Sequence, residues 1–430
     1  MLKELENGIF FSNLVDEKFK LNTIVVNFVV ELNEKFAALN TIFSSLMRQS
    51  CAKYSNNIKM GRQLRKLYGA DLFSDVKKAG NFQIISFGIS FLDDFFALDG
   101  EKTSKQAIEL LGEVIFNPNL IDGEFSKKDF ETERQDIIDI VKSIYANKQQ
   151  FAKKQAIKEL FKGKNLAIDK YGSIKALQDA NHKELKKAHE DLLLSSKIFI
   201  SYVGRSLYEE ELQQFFSRFF KLNRKNFSAI KKEEFLANNL KQKEEEDFLT
   251  QSKLVLGFGL KEKLKKSKKE EVTFKVMNAL FGATATSLLF TNVREKLSLC
   301  YYCRSIYDEF SEVILVESGV ETKNVEKAKQ AIKNQLDIIK NGQFSSQELV
   351  KAKYALQSVL KMVLDGQEKI SNYFLYNFLK EEETSIEEKI KLIDSVEKDD
   401  VVFAARRFFL AIEYVLKGGK TKNAEKADWN

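Results

Sequence analysis

Chemistry in this chain would have to come from histidine, cysteine, or a serine with a nearby base, and each is scarce or poorly spaced. Only two histidines are present, His182 and His189. They stand seven residues apart on one helical segment, roughly 10 Å of rise at ~1.5 Å per residue. A zinc ion needs its ligands clustered, and Leu185 and Lys186 occupy the interval where a third would have to stand. Solvated or helix-capping histidines are expected. Cys300-Tyr-Tyr-Cys303 fits C-x-x-C, which suits a redox pair or half a zinc site. Its setting, LCYYCRSIY, reads as a strand, in which residues i and i+3 point to opposite faces. No helix start follows, unlike a thioredoxin-type motif, so core or surface positions are expected for both cysteines. Ser74-Asp-Val-Lys77 fits S-x-x-K but lacks the companion SDN and KTG segments. GFGLKE at Gly257 lacks a third glycine and a following helix, so no phosphate-cradling loop is indicated.

The elements that would hold any site belong to more than one domain. A chain of 430 residues exceeds one ordinary core. Hydrophobic residues make up 44%, and 36 phenylalanines are enough to bury a sizeable interior. A single proline, Pro118, argues against Pro-rich linkers. Three cysteines, an odd number, fit a reducing compartment better than a disulfide framework. MLKELENGIFFSN does not read as a signal peptide. No run approaches the ~18 apolar residues of a membrane span. The expectation is a cytoplasmic protein with no membrane partner. The net charge of +7 comes from 69 basic and 62 acidic residues mixed along the chain, the mark of a solvated surface. One local basic run holds Lys261, Lys263, Lys265, Lys266, Lys268 and Lys269. No aromatic residue interleaves there, which speaks against a nucleic-acid stacking platform.

The chain also repeats itself. TIVVNFVV from Thr23 parallels KLVLGFGL from Lys253. AIELLGEVIFN from Ala107 parallels AIKNQLDIIKN from Ala331, and FSKKDFETERQDI from Phe125 parallels FSSQELVKAKYAL from Phe344. The segment from Ile174 parallels that from Ile390. It predicts a helix face of Leu185, Ala188 and Leu192 in one copy and Val401, Ala404 and Phe408 in the other. KIFISYVG and AIEYVLKG close the two copies as strands. Each copy reads strand, helix, strand, long helix pair, short helices, strand. The expected fold class is α/β (α+β): two homologous domains, each a mainly antiparallel sheet with helices packed on one face. The boundaries are 1–220 for the first, 221–247 for a charged linker, 248–420 for the second and 421–430 for a frayed tail.

Motif specificity appears in MNALFGATATSLLFTNVREKLSLCYYCRSIYDEF. A small-residue helix ends in Val293-Arg294-Glu295-Lys296 and leads into a β-rich run. This resembles the second domain of the pitrilysin/insulinase-like zinc peptidases, which include the mitochondrial processing peptidases. Their pattern is SRLF, then VREK-x-GL-x-Y; here SLLF precedes TN, and Ser298 stands at the glycine. The resemblance implies that Arg294 and Tyr301 are the pair that helps hold a substrate's backbone and carboxylate. It also implies an HxxEH helix in the first domain. Aligning SLMRQS with the family's MLFKGT puts Asn40 and Ser44 at the two histidines and Phe43 at the catalytic glutamate. Counting from Glu133-Arg134 puts Ile140 at the distal zinc-ligating glutamate. Leu67–Phe87 and Asn117–Ile137 are similar to the bacterial inactive branch of this family. That branch is associated with modification of elongation factor P and with peptide-antibiotic processing.

Carried to function, the resemblance implies a non-catalytic subunit forming half of a clam-shell chamber. Its partner would be an HxxEH-bearing sister chain that binds the zinc, with none in this chain. A peptide or unfolded protein would be the substrate. Two bland readings stand beside this one. Arg294 can cap its helix while Tyr301 serves as a strand aromatic, and the whole chain can be a scaffold of the same fold with no substrate role.

Overall fold

Two apolar runs, around Val25 and Val255, form the central strands of two sheets, as segments buried on both faces do. The structure is a computed structural model that describes residues 2–6, 8–224, 231–262 and 267–419. The first half opens with β1 (Lys3–Glu6), β2 (Ile9–Val15), β3 (Leu21–Glu31), α1 (Glu34–Gln49) and α2 (Asn57–Lys66). A hairpin, β4 (Asp71–Ala79) and β5 (Phe82–Leu92), precedes α3 (Thr103–Phe116) and the short ribbon β6 (Leu120–Ile121) and β7 (Glu124–Phe125). Then come α4 (Lys127–Ala146), α5 (Lys148–Leu160), α6 (Ile174–Asp179), α7 (Leu185–Ser195), β8 (Lys197–Gly204) and α8 (Glu209–Phe220). The second half holds β9 (Lys241–Phe248), β10 (Ser252–Leu260), α9 (Lys268–Asn278), β11 (Cys300–Asp308) and β12 (Val313–Val320). It ends with α10 (Val325–Lys340), α11 (Ser346–Lys361), α12 (Gln367–Leu379), α13 (Ile386–Asp394), α14 (Lys398–Arg406) and β13 (Phe408–Gly419).

The two sheets share one topology. The first runs β4-β5-β3-β8-β2-β1 and the second β11-β12-β10-β13-β9. Every pairing is antiparallel except one in each sheet: β2 runs parallel to β8, and β9 runs parallel to β13. The Thr23 and Lys253 runs occupy the same central place in the two orders, as do the 197–204 and 411–418 runs. Local signals repeat as well. Ser126 caps α4 and Ser345 caps α11, each accepting a hydrogen bond from a first-turn amide. Phe125 and Phe344 precede these caps and are buried, as are Phe130 and Leu349 in the following turns, the pattern of a hydrophobic staple.

The structure differs from the expected elements at three places. The anticipated order gives three strands to each copy, fewer than the six and five of the two sheets. β9 has the sequence KQKEEEDF and lies at the end of the span read as a linker. It alternates half-buried and exposed residues at a sheet edge, where charged side chains are at home. Gln242 donates to Glu413 at 3.0 Å and Lys417 to Glu244 at 3.1 Å. Secondly, α14 stops at Arg406, so Phe408 is not on its face. Phe408 begins β13 and is still fully buried in the core. Thirdly, each half lends one helix to the other. The helices of each half cover one face of its own sheet. On the opposite face, Ala152, Ala156 and Leu160 of α5 pack against Val255, Leu315 and Ile412 of the second sheet. Leu375 and Phe378 of α12 pack on Val29, Ile84 and Phe199 of the first. The Phe199 and Phe378 rings stack at 4.9 Å. Lys263, Lys265 and Lys266 of the basic run, residues 225–230 of the linker and the tail from 420 lie outside the described residues.

Candidate functional site

Asn33 caps α1 through hydrogen bonds from the Lys35 and Phe36 amides, which sets the helix phase. That phase turns Asn40, Phe43 and Ser44 into the interior, at 4%, 2% and 2% exposure. The Asn40 amide donates to Gln83 Oε1 on β5 at 2.9 Å. Gln83 Nε2 in turn donates to the carbonyls of Ala37 (3.0 Å) and Lys170 (2.7 Å). Phe43 stacks on His189 at 5.2 Å and meets Phe87 and Phe125 edge-on. Ile140 does not join them: on α4 it is 49% exposed. Glu133, further up α4, is buried and accepts a hydrogen bond from Gln49 at the end of α1. Gln83 and Glu133 are the polar residues that sequence reasoning did not assign here, because only the fold brings them to α1. An amide, a phenyl ring, a hydroxyl and an alkyl chain do not make a zinc donor set. Among the described residues no group of three His, Cys, Asp or Glu is placed to hold a metal.

The histidines are not the solvated residues that spacing suggested. His189 is buried, with Nε2 2.7 Å from the Ile115 carbonyl. Burial pushes its pKa down, against the opposing effect of that hydrogen bond. His182 lies 3.4 Å from Glu124. The Ser74 motif also dissolves, since Lys77 donates to Asn372 at 2.6 Å across the halves.

Arg294 and Tyr301 are presented by two irregularities. After α9 the backbone widens into π-helical turns at Ala279–Ala283 and Leu289–Lys296. The Leu297 amide closes the second turn on Asn292 O at 3.0 Å, a five-residue step. Such turns recur at functional sites. Arg294 projects from this turn, is exposed, and lies 4.6 Å over the Phe290 ring. Among the described residues its guanidinium makes no ion pair and no hydrogen bond to a helix carbonyl, though it stands in the last turn of its helix. Ser298 then turns the chain with φ +50°, in the left-handed region that glycine adopts most readily. In β11, Cys300 pairs with Val320 and Tyr302 with Gly319. Tyr301 is therefore the extra residue of a β-bulge, which re-aims a side chain; it is 57% exposed. The same bulge corrects the expectation for the cysteines, since it brings Cys300 and Cys303 to one face, both buried.

Across the molecule, the face of the first sheet not covered by its own helices turns polar beyond the apolar contact with α12. Thr23, Asn27, Ser86 and Ser90 line a cavity of about 560 Å³, roofed by residues 366–372 at the start of α12. Thr23 bonds Ser90 at 3.0 Å and Gln367 at 3.2 Å.

Residues 179–356, which include Arg294 and Tyr301, match the family description "Peptidase M16 inactive domain". Over 419 residues the chain is 24% identical to the Bacillus subtilis protein named probable inactive metalloprotease YmfF, with 97% of each chain covered. The chain is thus similar to M16-type peptidases described as inactive. It is also 20% identical over 320 residues to a second Bacillus subtilis protein, named uncharacterized zinc protease YmxG, covering 73% of this chain and 75% of that one. The crystal structure of a conserved protein from Enterococcus faecalis V583 is similar with a TM-score of 0.89 and 26% identity, covering 98% of this chain and 99% of that one. A non-catalytic chain fits both descriptions, and among the described residues there is no helix long and apolar enough to cross a membrane.

Proposed function

We propose that this chain is the non-catalytic subunit of a two-chain zinc peptidase. An HxxEH-bearing sister chain holds the zinc, while this chain closes the other half of the chamber and offers Arg294 and Tyr301 to the peptide. The observation that carries this reading is the presentation of the pair. A guanidinium and a phenol, neither in a described hydrogen bond or ion pair, stand exposed on a π turn and a bulge. Arginine suits the role because its planar fork grips carboxylate or carbonyl oxygens in fixed geometry. The polar cavity on the first sheet supports a wall that peptide can pass without adhering. Likeness both to a protein named inactive and to one named a zinc protease in a single organism supports a paired arrangement.

The test is co-expression with an HxxEH chain of similar length, followed by purification, zinc analysis and peptide cleavage. Co-elution with zinc bound through the sister and cleavage dependent on both chains is the expected result. A complex that cleaves equally well without this chain would favour the scaffold reading.

A further inference from the structure

The Cys300-Tyr-Tyr-Cys303 run takes no part in that reading. In β11, Cys300 stands opposite Val320 and Cys303 opposite Ser318, with Tyr301 as the extra residue between them. The extra residue shifts the alternation by one, so both cysteines join the helix-covered core, at 9% and 4% exposure. Their partners are two residues apart on β12, which sets the cysteine Cα atoms about 7 Å apart at ~3.4 Å per residue. A disulfide spans up to ~6.8 Å between Cα atoms. The two thiols lie close enough to perturb each other's ionisation, Cys300 downward and Cys303 upward, with Ser318 beside them. The geometry points to Cys300 and Cys303 as a reversible dithiol–disulfide pair, whose closure tightens the bulge that carries Tyr301.

The surroundings assign the two sulfurs different parts. Cys300 is the nearer to solvent, beside exposed Tyr301. The neighbouring Cys303 thiol draws that of Cys300 down to about 7 against the effect of burial, with help from Ser318 and the Arg294 charge. The same proximity, together with burial, pushes Cys303 up. Cys300 is therefore the nucleophilic thiolate and Cys303 the resolving thiol. With a peroxide as oxidant, the Cys300 thiolate attacks one peroxide oxygen. The O–O bond breaks, hydroxide leaves, and a sulfenic acid forms on Cys300. The Cys303 sulfur then attacks the Cys300 sulfur, the S–O bond breaks, and the Cys303 proton leaves with the hydroxyl as water. In sum, two thiols and one peroxide give one disulfide and two waters, and a dithiol reductant reverses the change. Cys51, fully buried in the other half, is the internal control.

Drawing the two Cα atoms together must move Tyr301 at the apex of the bulge. That this alters peptide holding rests on the proposed function; the dithiol itself does not. The full chain is treated with hydrogen peroxide, alkylated under denaturing conditions and digested with trypsin. Two of the three thiols should lose label, with peptide 297–304 lighter by two hydrogens, and dithiothreitol should restore both. Cys303→Ser should instead trap a Cys300 sulfenic acid reactive toward dimedone, and Cys300→Ser should leave residue 303 labelled. Retained label at both cysteines, or no sulfenic acid in Cys303→Ser, overturns the pair. Amide exchange over 299–304 should differ between the oxidised and reduced chains, and identical exchange overturns the link to Tyr301. If the disulfide forms and exchange changes while cleavage by the two-chain complex does not, the substrate-holding reading fails and the dithiol stands.

Discussion

Arg294 is the side chain on which the proposed function turns, and its environment makes the test clean. Its one described contact, the Phe290 ring at 4.6 Å, is worth about 0.5–1 kcal/mol at an exposed site. A charge-assisted hydrogen bond to substrate is worth roughly 1.5–3 kcal/mol. Arg294→Ala should therefore lower kcat/KM of the two-chain complex by about 10- to 200-fold, while stability changes by less than ~1 kcal/mol. Arg294→Lys should recover only part, because a point charge does not reproduce the fork. Unchanged cleavage with a lowered melting temperature would return Arg294 to a structural role. Ser298 makes a second prediction. It holds φ +50° without being glycine, so Ser298→Val, β-branched in the left-handed region, should cost about 1–2 kcal/mol. Urea denaturation measures this, and a neutral variant would mean that the turn between Arg294 and Tyr301 is not held in that conformation.

The crossing helices are where elements become one molecule. Phe378 is buried against Phe199 and Phe10 of the first sheet, although α12 belongs to the second half. Phe378→Ala should cost about 3–5 kcal/mol and should lower the stability of both halves together; a separate early transition confined to one half would contradict that coupling. Near the same helix, Glu309 accepts from Lys275 at 2.8 Å and Lys380 at 3.1 Å. Burial pushes its pKa up, but the two lysine charges outweigh it and hold the carboxyl at about 2 rather than 4.5. The folded pKa lies below the unfolded one, so the contribution is present above about 4.5 and is lost as pH falls toward 2. Melting temperatures across that window should fall less steeply in Glu309→Gln than in the native chain, and parallel curves would count against the assignment. Legibility in the sequence followed burial. β3, β10, β8 and β13 are apolar runs and could be read directly. β9 could not, because an edge strand bears charge on both sides and resembles a linker. The motif pointed to Arg294 and Tyr301, but the bulge that presents Tyr301 depends on register with β12. No local pattern in LCYYCRSIY encodes that register, so the cysteines were read onto opposite faces. The burial of His189 likewise depends on Phe43, far away in the chain.

At the scale of the whole molecule, the duplication explains why a single chain offers an open, polar surface. Each copy covers one sheet face with its own helices and lends one helix to the other copy, α5 in one direction and α12 in the other. This reciprocal exchange is what a two-fold relation between the copies produces, and it joins the halves across the two sheet faces that their own helices leave. The cavity of about 560 Å³ beside Asn27 and Ser90 lies on one of those faces. Hydroxyls, amides and charged side chains such as Asp71, Asp75 and Lys77 line it, with Val25 and Phe73 among them. A chain that encloses substrate with a sister needs a broad rim contact, because a chamber that leaks water and peptide at its edge holds neither. An obligate contact of that kind buries about 2,000 Å² or more. We therefore expect this chain and an HxxEH chain to elute as a 1:1 complex in size-exclusion chromatography with light-scattering detection. The complex should persist on dilution to micromolar concentration, and Arg294→Ala should leave it intact. Zinc measured in the complex should be removed by His→Ala changes in the sister's motif and unaffected by Asn40→Ala or Ser44→Ala here. Two chains that remain separate at micromolar concentration would sink the half-chamber reading. Zinc lost on changing Asn40 or Ser44 would show that α1 of this chain contributes a ligand after all.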